Sequence, residues 1–174
     1  ELPRGETGEI VVRPRQPYGF MAGYLNMPDK TVEAYRNFWF HTGDAAWMDD
    51  DGDVFFVDRI KDCIRRRCEN ISSFEVENAL SAHPSIHETA VYAVPSAIEG
   101  AEEEVVAAVV PKSGSTIDLE ELKVFALENL PAFAVPRYFR VMKELPKTPT
   151  GKIQKHVLRN EGVAPGVVDT LSNR

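Results

Sequence analysis

Cysteine is scarce in this sequence: Cys63 and Cys68 are the two among 174 residues. Two thiols are too few for a disulfide framework and lack zinc-ligand spacing, so a reducing, cytoplasmic setting is expected. Long apolar runs are also missing. Nothing approaches the roughly 18 to 20 residues that a membrane span needs, and the opening "ELPRGETGEI" has no charged-then-apolar signal pattern. There is no internal repeat, no low-complexity segment and no G-x-x-x-x-G-K-[ST] loop to cradle phosphates. The chain starts without Met and in mid-pattern, from which we expect a piece of a longer protein.

What is present is a 43% hydrophobic composition, enough for one ordinary core or for a small domain plus part of another. The formal charge of -7 is unevenly spread. Residues 59–67 hold five Arg and Lys against one Asp, and residues 137–159 hold seven against one Glu. Two basic segments on an acidic chain point to small phosphorylated ligands and away from a nucleic-acid backbone, which usually selects a basic domain. The acidic cluster Asp49, Asp50, Asp51 and Asp53 fails as a calcium loop, because placing Gly52 at loop position six puts Trp47 where an EF-hand needs Asp.

The pattern divides near residue 59. Before it, "GEIVVRP" reads as a strand and "DDDGDVFFV" as a tight Asp-Gly turn leading into another. After it, helices and strands alternate. "IKDCIRRRCENIS" reads as a β-hairpin; a turn centred on Arg65-Arg66 would set Cys63 opposite Cys68. Ser72 and Glu75 form a capping-box signature for a helix stopped by Pro84, and Asp118 with Glu121 caps a second helix ending before Pro131. "ETAVYAV", "EVVAAVV" and "RYFRVM" supply three strands, and a last helix is expected from about Lys152 through Leu158, with Lys155 and Arg159 as solvated charges on it. The expected fold is α+β: a three-stranded sheet with flanking helices and a β-hairpin, preceded by a β-rich segment and followed by a frayed tail.

Three motifs in fixed order, "FHTGD" (40–44), "DRIKDCIRRRCENISSFEVE" (58–77) and "LPKTPTGKIQK" (145–155), resemble signatures of the adenylate-forming superfamily of acyl- and aryl-CoA ligases, peptide adenylation domains and firefly-type luciferases. "GFMAGYLNMPDKT" is similar to the segment these enzymes carry upstream, so the resemblance covers about residues 5–160. The wording around "RRCENIS" is nearest to the crotonobetaine/carnitine-CoA ligase branch.

The resemblance implies residues 1–58 as the end of a larger N-terminal adenylation domain, 59–61 as a hinge, 62–160 as a mobile C-terminal domain and 161–174 as a flexible tail. It implies a carboxylic acid, ATP and CoA as ligands, with Mg2+ arriving on ATP and no ligand for it here. Asp44 and Arg59 would grip the nucleotide, since a short carboxylate can accept both ribose hydroxyls and a guanidinium forks onto ribose or phosphate oxygens. Read without the motifs, Asp44 would cap a turn after Gly43, and Arg59 would pair with Asp58 or Asp62. Lys152, on a glycine-hinged loop, is the implied catalytic cation for charge on the α-phosphorus oxygens. Lys61 takes the hinge position, and Cys68, Glu69 and Asn70 take the CoA passage. The family places a glycine where Cys68 stands. The phosphate loop and acyl pocket are not in this sequence, so the chain alone is not expected to be a working ligase. The alternatives are a nucleotide- or CoA-binding module without chemistry, and an adenylation domain that loads an acyl carrier protein.

Overall fold

β-Branched runs and an Asp-Gly turn build the first part of the chain into an antiparallel sheet, in a computed structural model that describes residues 1–96, 102–164 and 166–170. Strands β1 (Gly8–Val12), β2 (Phe40–Met48) and β3 (Val54–Arg59) lie in that order, with helix α1 (Pro28–Ala34) between the first two. The aspartate cluster is the β2–β3 turn: the Asp49 amide donates to the Asp53 carbonyl, the Asp53 amide donates to Asp49 Oδ1, and Gly52 supplies a φ of +91°. Trp47 and Phe55, partners across β2 and β3, stack at 4.3 Å. Val54, Phe55 and Phe56 stay exposed, and Ala46 and Asp58 are the buried residues among those described here.

The chain divides into two compact units, Glu1–Lys61 and the residues from Asp62 on. The second opens with a hairpin, β4 (Ile64–Arg66) and β5 (Glu69–Ile71), and continues through α2 (Ser73–Ser81), β6 (Ile86–Pro95), β7 (Glu103–Pro111), α3 (Leu119–Asn129), β8 (Tyr138–Val141), α4 (Lys155–Glu161) and β9 (Val167–Asp169). Both expected caps form: Ser72 Oγ accepts from the Glu75 amide at 3.2 Å, and Asp118 Oδ1 accepts from the amides of Glu120 and Glu121.

The sheet runs β6-β7-β8-β9, with β6 and β9 antiparallel to their neighbours and β8 parallel to β7. It is buried on both faces, which is why "EVVAAVV" is a continuous apolar run. Val105, Ala107 and Val109 face one core with residues of α2, α3 and the hairpin; Val106, Ala108 and Val110 face the other with Tyr92, Leu145 and Leu158. Each large side chain so buried stabilises the unit by about 1.5–3 kcal/mol. No helix among the described residues is long and apolar enough to cross a membrane.

Three expectations need correction. The sheet has four strands, because Val167–Asp169 pairs with β8 where the sequence reads as a tail; the Asp169 carboxylate meets Arg137 at 2.9 Å and fastens it. The last helix starts at Lys155, because residue 152 is occupied in a small hairpin closed by the Lys147–Ile153 bridge. The hairpin turn is Arg67-Cys68, with Arg66 opposite Glu69. Cys63 and Cys68 are therefore not facing partners, and neither is in a disulfide.

Candidate functional site

In the first unit, Gly43 sits in a β-bulge. Val11 pairs with His41 but Glu9 pairs with Ala45, so β2 spends extra residues at Thr42–Asp44. Gly43 takes a φ of +73° with open space around it, so its backbone angle and not crowding calls for glycine. Beyond the bulge, Asp44 lies across from Arg59 in the β2–β3 register, and Arg59 Nε is 2.8 Å from Asp44 Oδ1. The Arg59 side chain is 51% exposed and the Asp44 side chain 28%. Arg59 Nη1 donates to the Thr42 carbonyl at 3.3 Å. The two sequence-predicted nucleotide residues are thus brought together: the Arg59 guanidinium pairs with Asp44, while the Arg59 amide donates to Asp58 Oδ1 at 2.7 Å. A half-exposed pair of this kind contributes at most about 1 kcal/mol, and it leaves carboxylate and guanidinium edges toward solvent for a ligand with hydroxyl or phosphate oxygens.

Lys61 is exposed on the single turn Ile60–Asp62. The next residue, Asp62, is buried and ion-paired to Arg159 of α4.

The second unit sorts its cations. Arg65 Nε lies 3.2 Å from Glu102, and Arg66 is buried with its Nε 2.9 Å from Glu104 and its Nη1 donating to the Phe133 and Val135 carbonyls. Burial pushes the Arg66 guanidinium below its ordinary value, and Glu104 opposes that. Arg137 joins the same cluster through Glu104 and Asp169, and hydrogen bonding to Asp169 raises it. Lys155 bonds Glu77 at 2.7 Å and Ser73 Oγ at 2.8 Å, and with Arg159 held by Asp62 these two are ion-paired residues where solvated charges are expected.

Lys152 differs from these. Its carbonyl accepts from the Thr148 amide at 2.8 Å, its amide donates to Thr148 Oγ1 at 3.1 Å, and Gly151 before it has a φ of +82°. The loop is tied while the exposed ammonium meets no carboxylate among the described residues. Cys68 occupies a left-handed turn position, φ +65°, next to Arg67 at φ +53°. Its amide donates to Glu102 Oε2 at 2.8 Å, and that bond holds the Glu102 carboxyl below its usual range. On the following strand Glu69 is exposed, and Asn70 Oδ1 accepts from Arg65 at 2.9 Å. No group of three or more His, Cys, Asp or Glu among the described residues forms a metal cluster.

Residues 75–152 match the AMP-binding enzyme C-terminal domain. The chain carries a domain of the adenylate-forming, AMP-binding enzymes. A long-chain-fatty-acid–CoA ligase of Bacillus subtilis is 42% identical over 90% of this chain and 27% of its own length. A fatty acid–[acyl-carrier-protein] ligase of Streptomyces coeruleorubidus is 38% identical over 92% of the chain and 30% of its own. Among solved structures, ATP-bound MatB of Rhodopseudomonas palustris superposes with a TM-score of 0.79 at 34% identity, over 91% of this chain and 31% of that one. The chain thus spans about three tenths of the length of the relatives it matches.

Sequence reasoning missed two carboxylates, one in each unit. Glu9 holds the bulge before Asp44, and Glu104 holds Arg66; each acts on residues more than thirty positions away, and neither lies in a motif.

Proposed function

We propose that this chain is the C-terminal part of an ATP-dependent acyl-CoA ligase. In the reaction a carboxylate oxygen attacks the α-phosphorus of ATP and the bond to pyrophosphate breaks; the thiolate of CoA then attacks the acyl carbon and AMP leaves. Asp44 accepts the ribose hydroxyls, and Arg59 donates to ribose or phosphate oxygens while keeping Asp44 in place. Lys152 supplies a point charge to the phosphorus oxygens as negative charge builds there. Lys61 serves as the hinge about which the residues from 62 on change orientation between the two half-reactions, and the turn around Cys68, Glu69 and Asn70 lines the path of the pantetheine arm.

The observation that carries this reading is the state of Lys152. Of the seven Arg and Lys between residues 137 and 159, five are matched to carboxylates; Lys143 and Lys152 meet none among the described residues, and of these two Lys152 follows a left-handed glycine on a tied loop. A cation held this way, in a chain of net charge -7 with acidic groups to spare, is kept available for an anion from outside the domain. Two cysteines outside any disulfide fit a cytoplasmic setting. The carnitine-type branch rests on the "RRCENIS" wording and on a likeness to crotonobetaine/carnitine–CoA ligases that other ligases share to the same degree. The likeness to an acyl-carrier-protein ligase supports a carrier protein as the alternative thiol acceptor.

Carboxylate-dependent exchange of pyrophosphate into ATP tests the proposal. A full-length ligase ending in this chain exchanges, and the 174-residue chain alone does not, since phosphate loop and acyl pocket lie elsewhere. Nucleotide binding by the full-length protein without exchange would make it a binding module instead.

A further inference from the structure

Glu9 spends both carboxylate oxygens on one short piece of β2. Oε1 accepts from the Gly43 amide at 3.1 Å, and Oε2 lies 2.6 Å from His41 Nδ1 and 3.6 Å from Arg36 Nη2. Its side chain is 19% exposed, an unusual place for a strand carboxylate that could face solvent. Of the residues it bonds, His41 stands just before the bulge and Gly43 at its centre, and a second pair of bonds shapes the inside: the Asp44 amide donates to Thr42 Oγ1 at 3.0 Å, while that hydroxyl donates to the Ile10 carbonyl at 2.8 Å. A bulge re-aims the side chains that follow it, and the next side chain is Asp44. Left alone, a stretch with an unrestrained glycine has many conformations open to it. Glu9 closes that freedom from across the sheet.

We propose that Glu9 is a positioning residue for nucleotide binding, fixing the Thr42–Asp44 bulge so that the Asp44 carboxylate stands ready for the ribose. The proposal rests on the reading of Asp44 as the ribose acceptor. Both Glu9 oxygens are engaged by residues of this unit, Oε1 by Gly43 and Oε2 by His41 and Arg36, so its effect passes through the backbone into Asp44.

The test compares Glu9→Ala, Glu9→Gln, Asp44→Ala and the Glu9→Ala/Asp44→Ala double variant in the full-length ligase, reading KM for ATP and kcat in pyrophosphate exchange. Exchange of the Gly43 amide proton is followed by NMR in the 174-residue chain. Glu9→Ala raises KM for ATP by about tenfold with kcat little changed, the size of one lost hydrogen bond. Glu9→Gln restores KM, since its amide oxygen still accepts from Gly43. The double variant is no worse than Asp44→Ala, and the Gly43 proton exchanges faster in Glu9→Ala but not in Asp44→Ala. An unchanged KM in Glu9→Ala, or a full tenfold loss added on top of Asp44→Ala, overturns the proposal while the ribose reading stands. If Asp44→Ala itself leaves KM unchanged, the ribose reading fails and the proposal falls with it. Should Glu9→Ala not fold, Thr42→Val, which removes the other bond shaping the bulge, decides by the same criteria.

Discussion

Cys68 carries a Cβ at a backbone position, φ +65°, that glycine occupies without strain, and Arg67 beside it is left-handed as well. Two-residue turns with both angles positive favour Asn-Gly for this reason. Cys68→Gly should therefore raise stability by about 1 kcal/mol in urea unfolding under reducing conditions. Under the proposed function it should also speed acyl-CoA formation from preformed acyl-adenylate, and equal rates would remove this turn from the CoA path. Glu9 gives a prediction in pH. Burial pushes its carboxyl up, but the hydrogen bonds from His41 and the Gly43 amide, with the nearby Arg36 charge, outweigh burial and leave it below its ordinary value. Its contribution is thus present above the unfolded-state value of about 4.3 and lost as pH falls through the lower folded value. The stability gap between the wild type and Glu9→Gln should close on acidification below about pH 4. Asp44, Arg59 and Lys152 are legible in the sequence because each sits inside an ordered motif. Glu9 is not: nothing in "GEIVV" separates a bulge clamp from a solvent-facing carboxylate.

At the scale of elements, the hairpin is fixed by charge. "RRR" reads as one basic patch, yet strand alternation turns Arg65 outward to Glu102 and Arg66 inward to Glu104, and leaves Arg67 in the turn. Centring the turn two residues early hides that alternation, since it makes Arg65 and Arg66 the turn residues and takes them out of the strand. Arg66→Met should destabilise the domain by about 3 kcal/mol, because it strips a buried carboxylate of one partner and two carbonyls of their donor; Arg67→Met should change little. Urea midpoints for the two variants check this, and equal midpoints would contradict it. The capped helices α2 and α3 and strands β6 to β8 are legible from caps, prolines and apolar runs. Strand β9 is not, because three residues carry too little pattern and its anchor, Arg137, lies 32 positions upstream.

Across the whole molecule the two units differ in how they are held. From Asp62 on, a sheet buried on both faces supplies two cores. In residues 1–61 the buried residues among those described are Ala46 and Asp58, and Phe55 and Phe56 on the two faces of β3 are both exposed. Amide exchange in the isolated chain should accordingly be slow through β6 and β7 and faster by orders of magnitude in β1 to β3, since protection follows buried apolar contact. Similar protection in both would mean that the first sheet has a cover of its own. The division near residue 59 is legible as a change of pattern, whereas the lack of a core in the first unit shows only when burial is known.

Lys152, which meets no carboxylate among the described residues, acts under the proposed function on the adenylation step. The most direct test of this role is Lys152→Ala in the full-length ligase, with the half-reactions measured separately. Adenylation should fall on the order of 100-fold or more, while acyl-CoA formation from supplied acyl-adenylate stays near wild type. Equal losses in both half-reactions, or no loss in adenylation, would contradict it.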